Sequence, residues 1–152
     1  MDDLKYSVRA LREDDLEEWY GLRTLLWDAS DANEHQAEML DIMEHADSQL
    51  VLVAELNTTG LAGFLEASIR PFVEDCHSDH VGYLEGWFVR PEFRRMGIGR
   101  TLVQAAEKWA RSKGCIEMAS DAEIGNESSV AAHAHLGYEE TSRLVHLRKE
   151  LS

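Results

Sequence analysis

The sequence predicts a single α/β domain in which a mixed β-sheet carries helices on its faces. Its 152 residues suffice for one domain with a substantial core and are too few for two ordinary ones, so we expect one domain over 1–152. The hydrophobic period alternates along the chain between a strand-like and a helix-like repeat. Taken in order, these segments predict the succession β-α-α-β-β-β-α-β-α-β.

The first three predicted elements are one strand and two helices. Tyr6–Ala10 is predicted as a short strand, and the run EDDLEEWYGLRTLLW that follows it has the apolar spacing of a helix. A second helix is predicted over Asn33–His45. We expect its apolar stripe to consist of Met39, Leu40 and Met43.

Three strands are predicted next. Gln49–Leu56 and Leu61–Arg70 flank the turn residues NTTG, which predicts a hairpin. A polar loop over Pro71–His80 then leads to Gly82–Val89, an aromatic-rich segment predicted as a strand with both faces covered. Strand alternation predicts that four residues share one face of this strand, namely Tyr83, Glu85, Trp87 and Val89.

The remaining segments predict two helices, each followed by a strand. The first helix has a continuous apolar stripe and ends at Gly114, and Cys115–Ser120 is predicted as a short strand. Asn126 has the side chain of a helix N-cap, and this last helix ends at Gly137. The predicted final strand is Tyr138–Leu151.

Composition excludes several classes of function. The net charge of −14 repels nucleic acid and attracts cationic small molecules or basic peptides, although an acidic surface can also serve solubility alone. No apolar run reaches the roughly 20 residues of a membrane helix. Met1–Asp3 starts no secretory signal pattern, and two cysteines make no disulfide framework, so we expect a cytoplasmic protein. Cys76–His80 lies in a loop without a paired ligand motif, so we expect no metal site.

The join VRPEFRRMGIGR, at Val89–Arg100, places two arginines and two alternating glycines between a strand and a helix. Glycines let a backbone approach a ligand closely, and the first amides of a helix attract anions. The spacing is neither a P-loop nor a dinucleotide fingerprint. Because the net charge of −14 disfavours a nucleic acid, a phosphate-bearing ligand and a tight turn remain the alternatives from the residues alone.

With its neighbours, this join resembles the acetyl-CoA pyrophosphate loop of the GNAT acyltransferases. Five blocks in order resemble one subfamily, the aminoglycoside 6′-N-acetyltransferases: LRTLLW, LEASIR, YLEGWFVRPEFRRMGIGR, EMASDAEIGN and LGYEETSRLVHLRKEL. The resemblance implies a GNAT-like fold and direct acetyl transfer from acetyl-CoA to the 6′-amine of an aminoglycoside, without a metal. It also implies a homodimer that pairs through C-terminal strands, in which RLVHLRKEL pairs either across a two-fold axis or within its own chain.

The resemblance also implies which residues hold acetyl-CoA. Val89 is the implied oxyanion donor through its main-chain amide, and Asn126 is the implied contact to the cofactor arm. His133 occupies a position where relatives place a catalytic tyrosine, so it is either a proton donor to the leaving thiolate or a surface histidine. The other implied cofactor-binding residues are Trp87, Phe88, Arg94, Arg95, Met96, Gly97, Ile98, Gly99 and Arg100.

The implied acceptor-binding residues are Trp27, Phe72, Glu85, Asp121 and Ser142. Glu85 would contact acceptor ammonium groups and take a proton through water, or else pair with an arginine at the rim of the sheet. Asp121 is alternatively an Asx turn, and Trp27 a core aromatic. Phe72 and Ser142 depart from the subfamily's usual tyrosine and glutamate. Glu66 would either line the same cleft or balance an arginine.

Two rival functions remain open from the sequence. A GNAT enzyme acting on a different amine, such as a polyamine or a peptide N-terminus, would prefer that amine over any drug. A non-catalytic acyl-CoA-binding protein would bind acetyl-CoA tightly without turnover.

Overall fold

The computed structural model describes residues 5–152. The chain forms two compact units, one that ends at Ser120 and one over Asp121–Ser152. Met1–Asp3, for which we expect no secretory signal, lies outside the described residues, and a single domain over 1–152 stays a prediction. Among residues 5–152, no helix combines the length and apolar character needed to cross a membrane.

The first unit is built on a five-stranded sheet whose strands are adjacent in chain order. The first four strands pair antiparallel and the fifth pairs parallel to the fourth, so the predicted mixed sheet is confirmed. The fifth strand is shorter than the predicted Cys115–Ser120. The strands are β1 (Tyr6–Ala10), β2 (Gln49–Leu56), β3 (Leu61–Arg70), β4 (Val81–Val89) and β5 (Met118–Ser120).

Helices cover both faces of this sheet. On one face, α1 (Leu16–Leu26) and α2 (Ala32–Glu44) pack against β2 and β3. The opposite face packs against α3 (Ile98–Ser112), whose strongly apolar stripe produces the buried side. The core on the α1 side consists of Trp19, Leu22, Met39, Val51, Val53, Leu61 and Phe64.

The buried face of α2 differs from the predicted stripe. Met39 is buried, but Leu40 and Met43 are 54% and 44% exposed. The inward face instead follows His35, Met39 and Ile42, which have the helical spacing i, i+4, i+7. The prediction was wrong because it considered only apolar residues, whereas His35 is buried with hydrogen-bond partners for both ring nitrogens.

The register of β3 and β4 shifts at Glu85. Glu66 pairs with Gly86 and Ala67 pairs with Leu84, so Glu85 is an extra residue in β4 without a partner across the ladder. This arrangement is a β-bulge, which bends a strand and redirects its side chains. The most exposed residue of β4 therefore lies at the one place where β4 departs from regular pairing with β3.

The bulge also changes which residues of β4 share a face of the sheet. Because directly paired residues share a face, Leu84 and Trp87 lie on the α3 side, whereas Tyr83 and Gly86 lie on the α1 side. The prediction that one face carries Tyr83, Glu85, Trp87 and Val89 is therefore wrong. Uninterrupted alternation assumes a regular strand, and the single residue that breaks it has no distinct sequence signature.

The second unit contains α4 (Glu127–His135). As predicted, Asn126 caps this helix, since its side-chain oxygen accepts a hydrogen bond from the Ser129 N–H at 3.1 Å. The described residues beyond α4 form no helix or strand, so the predicted final strand over Tyr138–Leu151 is not present. A strand forms only where a second strand supplies the hydrogen bonds, and the described residues supply no such partner here. The apolar residues of this segment are largely exposed.

Candidate active site

The edge of β4 is open in the first unit. β5 pairs with β4 only at Gly82–Leu84, so the rest of β4 extends beyond β5. The Arg90 N–H donates to the Ala62 carbonyl at 2.8 Å. Because bonded and non-bonded pairs alternate along an antiparallel ladder, the N–H of Val89 points away from β3. An extended ligand can therefore form main-chain hydrogen bonds along this edge.

The turn before α3 is built on Gly97, the N-cap residue of the helix. Its φ of 84° is left-handed, a conformation that favours glycine. Within residues 5–152, no side chain caps α3 at this position, so its first N–H groups are available to a ligand at the positive end of the helix dipole. The exposed residues of the turn include Arg94, Arg95, Met96 and Arg100. This cationic turn fits the diphosphate of a coenzyme A ester.

Gly99 and Ile98 contribute to packing. A Cβ at Gly99 would lie 3.1 Å from Cζ2 of Trp87, so this glycine makes room for the indole ring. Ile98 is 1% exposed, which leaves only its main chain to meet a ligand. The close approach that the sequence assigned to a ligand is thus made at Gly99 by a side chain of β4.

Arg94 ties the turn back to the strand. Its Nε donates to the Val89 carbonyl at 2.8 Å, and its Cζ lies 5.5 Å from the centre of the Phe88 ring. The predicted cofactor-binding residues of β4 and of the turn are therefore held together within the first unit. Arg94 fixes the end of the strand and still presents further guanidinium N–H groups to solvent.

Glu85 is paired with an arginine. Arg70 donates to Glu85 Oε1 from Nε and Nη2, at 3.0 and 2.8 Å, and to Oε2 from Nη2 at 2.7 Å. The Ser68 hydroxyl donates to Oε1 at 2.6 Å. The Glu85 side chain is nevertheless 32% exposed, so a ligand can reach it. The structure thus has the arginine partner that the sequence left as an alternative to acceptor binding.

Trp27, at the end of α1, lies against Gly86, the residue after Glu85. A Cβ at Gly86 would lie 2.6 Å from Cζ2 of Trp27, so only glycine leaves space for the ring. The Cζ of Arg23 lies 4.7 Å from the centre of the Trp27 ring, and His35 Nε2 donates to the Trp27 carbonyl at 3.2 Å. Trp27 is half-buried, so it belongs to the core and also reaches the surface beside Glu85.

A buried charge cluster under Trp27 decides between the two roles that the sequence left open for Glu66, and its arginine is Arg23, which the sequence did not single out. Glu66 is 4% exposed and Arg23 is 1% exposed, and the two form an ion pair. Trp19 Nε1 donates to Glu66 Oε2 at 2.9 Å, and Arg23 also pairs with Glu38. Burial raises the pKa of Glu66, and Arg23 opposes that rise. Glu66 therefore balances an arginine inside the core.

The tautomer of His35 follows from its partners. Arg23 Nε is always a donor and lies 3.2 Å from His35 Nδ1, so Nδ1 accepts. The Trp27 carbonyl is always an acceptor, so Nε2 carries the proton. A single neutral imidazole thus links α2 to the end of α1, immediately beneath Trp27, a candidate residue for binding the acceptor substrate. The helical spacing of His35 with Met39 was the signal that would have identified it.

Phe72 lies in the loop after β3 and is 74% exposed. The far end of this loop is anchored, since the Glu117 carboxylate accepts from the N–H groups of His77 and Ser78 at 2.9 and 2.7 Å.

Among the described residues, no group of three or more His, Cys, Asp or Glu side chains is arranged to hold a metal ion, and this includes Cys76–His80.

The second unit carries the other predicted site residues, Asp121, Asn126, His133 and Ser142. Asn126 caps α4 with its side chain. His133 Nδ1 lies 2.7 Å from the Ser129 carbonyl, so Nδ1 donates and the neutral ring has no proton at Nε2. The Tyr138 ring packs edge-on against His133, with the ring centres 5.8 Å apart.

Comparison with known proteins relates the chain to one enzyme family. The model of the acetyltransferase (GNAT) family matches residues 10–138. The chain is 40% identical over 146 residues to aminoglycoside N(6′)-acetyltransferase type 1 of Klebsiella aerogenes, a match that covers 95% of this chain and 96% of the relative. The protein of the same name from Acinetobacter baumannii is 41% identical, with 95% and 99% covered.

Solved structures agree with these relatives. The structure of AAC(6′)-Iy in complex with the bisubstrate analogue CoA-S-monomethyl-acetylneamine is similar with a TM-score of 0.90 and 38% identity, and covers 97% of this chain and 99% of that one. AAC(6′)-Ih from Acinetobacter baumannii is similar with a TM-score of 0.90 and 39% identity, and the match covers 97% and 100% of the two chains.

Proposed function

Because this chain belongs to the GNAT acetyltransferase family, we propose that it transfers the acetyl group of acetyl-CoA to the 6′-amine of aminoglycosides. The observation that carries the proposal is similarity over nearly the whole length of relatives that bear this one activity in their names. The net charge of −14 supports a polycationic acceptor.

Acetyl-CoA, when bound, supplies an activated acetyl thioester. In our proposal the N–H groups at the start of α3, with Arg95 and Arg100, bind the diphosphate. The main chain of Trp87, which points away from β3 like that of Val89, hydrogen-bonds the pantetheine arm, whereas the main-chain groups of Phe88 point toward β3. The Val89 N–H, which points away from β3, donates to the oxygen that gains negative charge during transfer.

The acceptor amine attacks directly within a ternary complex, so the chain must orient it and remove a proton. We assign both tasks to Glu85, whose carboxylate binds the ammonium group and takes up its proton through a water molecule. Trp27 and Phe72 offer ring faces to the sugar rings. From the second unit, Asp121 and Ser142 are proposed as further acceptor contacts.

Asn126 and His133 are proposed to act on the coenzyme arm. Because Nδ1 of His133 donates to the main chain of its own helix, the ring can give a proton from Nε2 only as an imidazolium. In its charged form, His133 can therefore donate a proton to the leaving thiolate. In its neutral form, its Nε2 can only accept a hydrogen bond.

We also propose that the enzyme is a homodimer that pairs through 143–151. Val145, Leu147 and Leu151 are 81%, 89% and 87% exposed, which suits a segment that gains its hydrogen bonds and apolar cover from a second copy. Light scattering at micromolar concentration should give twice the mass of the chain. A monomeric mass would contradict the pairing.

A cytoplasmic location is proposed on two grounds. The reaction needs acetyl-CoA, and Cys76 and Cys115 are both free thiols, as expected in a reducing compartment.

We propose, in addition, that 1–152 acts as a single acetyltransferase domain. The match of the family model, which spans 10–138, supports this proposal.

The reaction is tested by thiol release from acetyl-CoA with neamine and paromamine, two acceptors that differ only in an amine or a hydroxyl at the 6′ carbon. We expect turnover with neamine and background with paromamine. Equal turnover with both would place the acetyl group elsewhere. No turnover with either would favour the rival amine-acetyltransferase function, and polyamines and peptides would then be the acceptors to assay.

The Glu85→Gln variant tests the assignment of that residue. Loss of turnover together with a higher KM for neamine is the result expected of a group that both binds the ammonium and removes its proton. A higher KM with unchanged kcat would limit Glu85 to orientation. An unchanged KM and kcat would remove Glu85 from the site.

A further inference from the structure

Glu85 needs a restraint that its own strand does not supply. It is the extra residue of a β-bulge, so no residue of β3 is paired directly opposite it, and its side chain is about one-third exposed. An exposed glutamate samples many rotamers, and this freedom opposes the fixed geometry that acceptor binding requires. Whatever orients the carboxylate must therefore act through its oxygen atoms.

The two carboxylate oxygens are bonded unequally. Oε1 accepts three hydrogen bonds, from the Ser68 hydroxyl at 2.6 Å and from Nε and Nη2 of Arg70 at 3.0 and 2.8 Å. Oε2 accepts one, from Arg70 Nη2 at 2.7 Å. A carboxylate offers about four lone-pair sites, which is about two on each oxygen. Oε1 is therefore saturated, and the remaining acceptor capacity of the carboxylate lies on Oε2.

The arginine that makes this distinction is itself held in place. Its Cζ lies 3.6 Å from the centre of the Tyr83 ring, and Tyr83 is 6% exposed, so the guanidinium rests on a fixed aromatic surface. Ser68 is 7% exposed and pairs directly with Tyr83 across the ladder. Arg70 and Ser68 thus approach the carboxylate from rigid positions on β3.

We propose that Ser68 and Arg70 are positioning residues that clamp the Glu85 carboxylate and leave Oε2 as the atom that receives the acceptor's ammonium group. The inference rests on the proposed function of Glu85 as an acceptor-binding residue. Arg70 then has a role in the reaction. From the sequence, pairing of Glu85 with an arginine was an alternative to acceptor binding.

Charge and positioning predict opposite effects when Arg70 is removed. Removing a positive charge beside Glu85 makes the region more negative, which by itself strengthens the binding of a polycation. Removing the clamp releases the carboxylate and weakens binding. A loss of affinity in Arg70→Met is therefore specific to positioning, because simple electrostatics gives the other sign.

The test is calorimetric titration of neamine into the protein without acetyl-CoA. We expect Arg70→Met to weaken binding about fivefold to tenfold, the order of the rotamer freedom that a glutamate regains. Ser68→Ala, which keeps the ion pair, should weaken binding about threefold, in line with the loss of one hydrogen bond. Arg70→Lys keeps the charge without the fork and should fall between the parent and Arg70→Met.

Arg111→Met is the matched control, since Arg111 is an exposed arginine in the last turn of α3 and its removal changes the net charge equally. We expect it to bind neamine as the parent does. Unchanged or tighter binding in both Arg70→Met and Ser68→Ala would overturn the clamp. The buried Ser68 position is the milder change and remains testable if an arginine variant folds poorly.

Crystal structures of the parent and of Arg70→Met test the clamp without any acceptor. We expect one Glu85 rotamer in the parent and several in the variant. Several rotamers in the parent would overturn the clamp. A parent that holds one rotamer but neither binds nor acetylates neamine would instead contradict the proposed function and leave the clamp standing.

Discussion

Removal of Arg23 should strand a carboxylate in the core. The Arg23 guanidinium is 1% exposed and is the ion-pair partner of Glu66, which is 4% exposed. Breaking a buried pair by removing one partner costs about 3–5 kcal/mol, because the other charge stays buried without compensation. For a chain of this length each kcal/mol lowers Tm by about 2–4 °C, so Arg23→Met should lower Tm by about 6–20 °C.

The assay is thermal unfolding at neutral pH, followed by circular dichroism. Arg143→Met is the control, since it breaks the exposed pair of Arg143 with Glu140 and should leave Tm unchanged. The double variant Arg23→Met/Glu66→Gln removes the stranded charge and should recover most of the lost stability. A Tm for Arg23→Met within error of the control would show that the reasoning about Glu66 is wrong.

The pH dependence of the same variant has a defined sign. Burial raises the pKa of Glu66 above its ordinary value of 4.5, and Arg23 is the first of the groups that oppose the rise. A raised carboxyl pKa favours the folded state at low pH, and this contribution is lost as pH rises through the folded-state pKa. The deficit of Arg23→Met should therefore be smaller at pH 4.5 than at pH 8. A deficit that grows on acidification would contradict the assignment.

Three further variants test other parts of the structure. Asp15 accepts from both terminal nitrogens of Arg9, at 2.7 and 2.9 Å, and this pairing holds its pKa below the ordinary 3.8. Asp15→Asn should lower the free energy of unfolding, measured in urea at pH 7, by about 1.5–3 kcal/mol, and this loss should shrink as pH falls below the ordinary pKa. A loss that stays constant with pH would contradict the pairing. Gly86→Ala forces a Cβ into the Trp27 ring and should cost about 1–3 kcal/mol with weaker neamine binding, whereas full stability would mean that the ring moves freely. Gly97→Ala, at φ 84°, should cost about 1 kcal/mol and raise the KM for acetyl-CoA, and an unchanged KM would separate the turn from the coenzyme.

Short-range chemistry made much of the fold predictable. The N-cap at Asn126 and the hairpin turn at Asn57–Gly60 depend on a few adjacent residues, and the structure has both of them. The first four strands also lie where the hydrophobic pattern predicts them. These features are local, so a single sequence contains the information that specifies them.

The features that were missed depend on residues far apart in the chain. The partner of Glu85 is Arg70, and the bulge at Glu85 depends on how β3 and β4 align, which neither strand specifies alone. The pairing of Arg23 with Glu66 joins a helix to a strand in the core, where a sequence pattern predicts only apolar residues. A strand over 138–151 was predicted, yet the chain supplies no partner strand for it among the described residues.

Acetylation of the 6′-amine by this chain is tested most directly by locating the acetyl group on the product. Neamine would be incubated with acetyl-CoA and the enzyme, and the isolated product would be examined by two-dimensional NMR. We predict a single acetyl group on the 6′ nitrogen. An acetyl group on any other nitrogen, or unmodified neamine after prolonged incubation, would contradict the account.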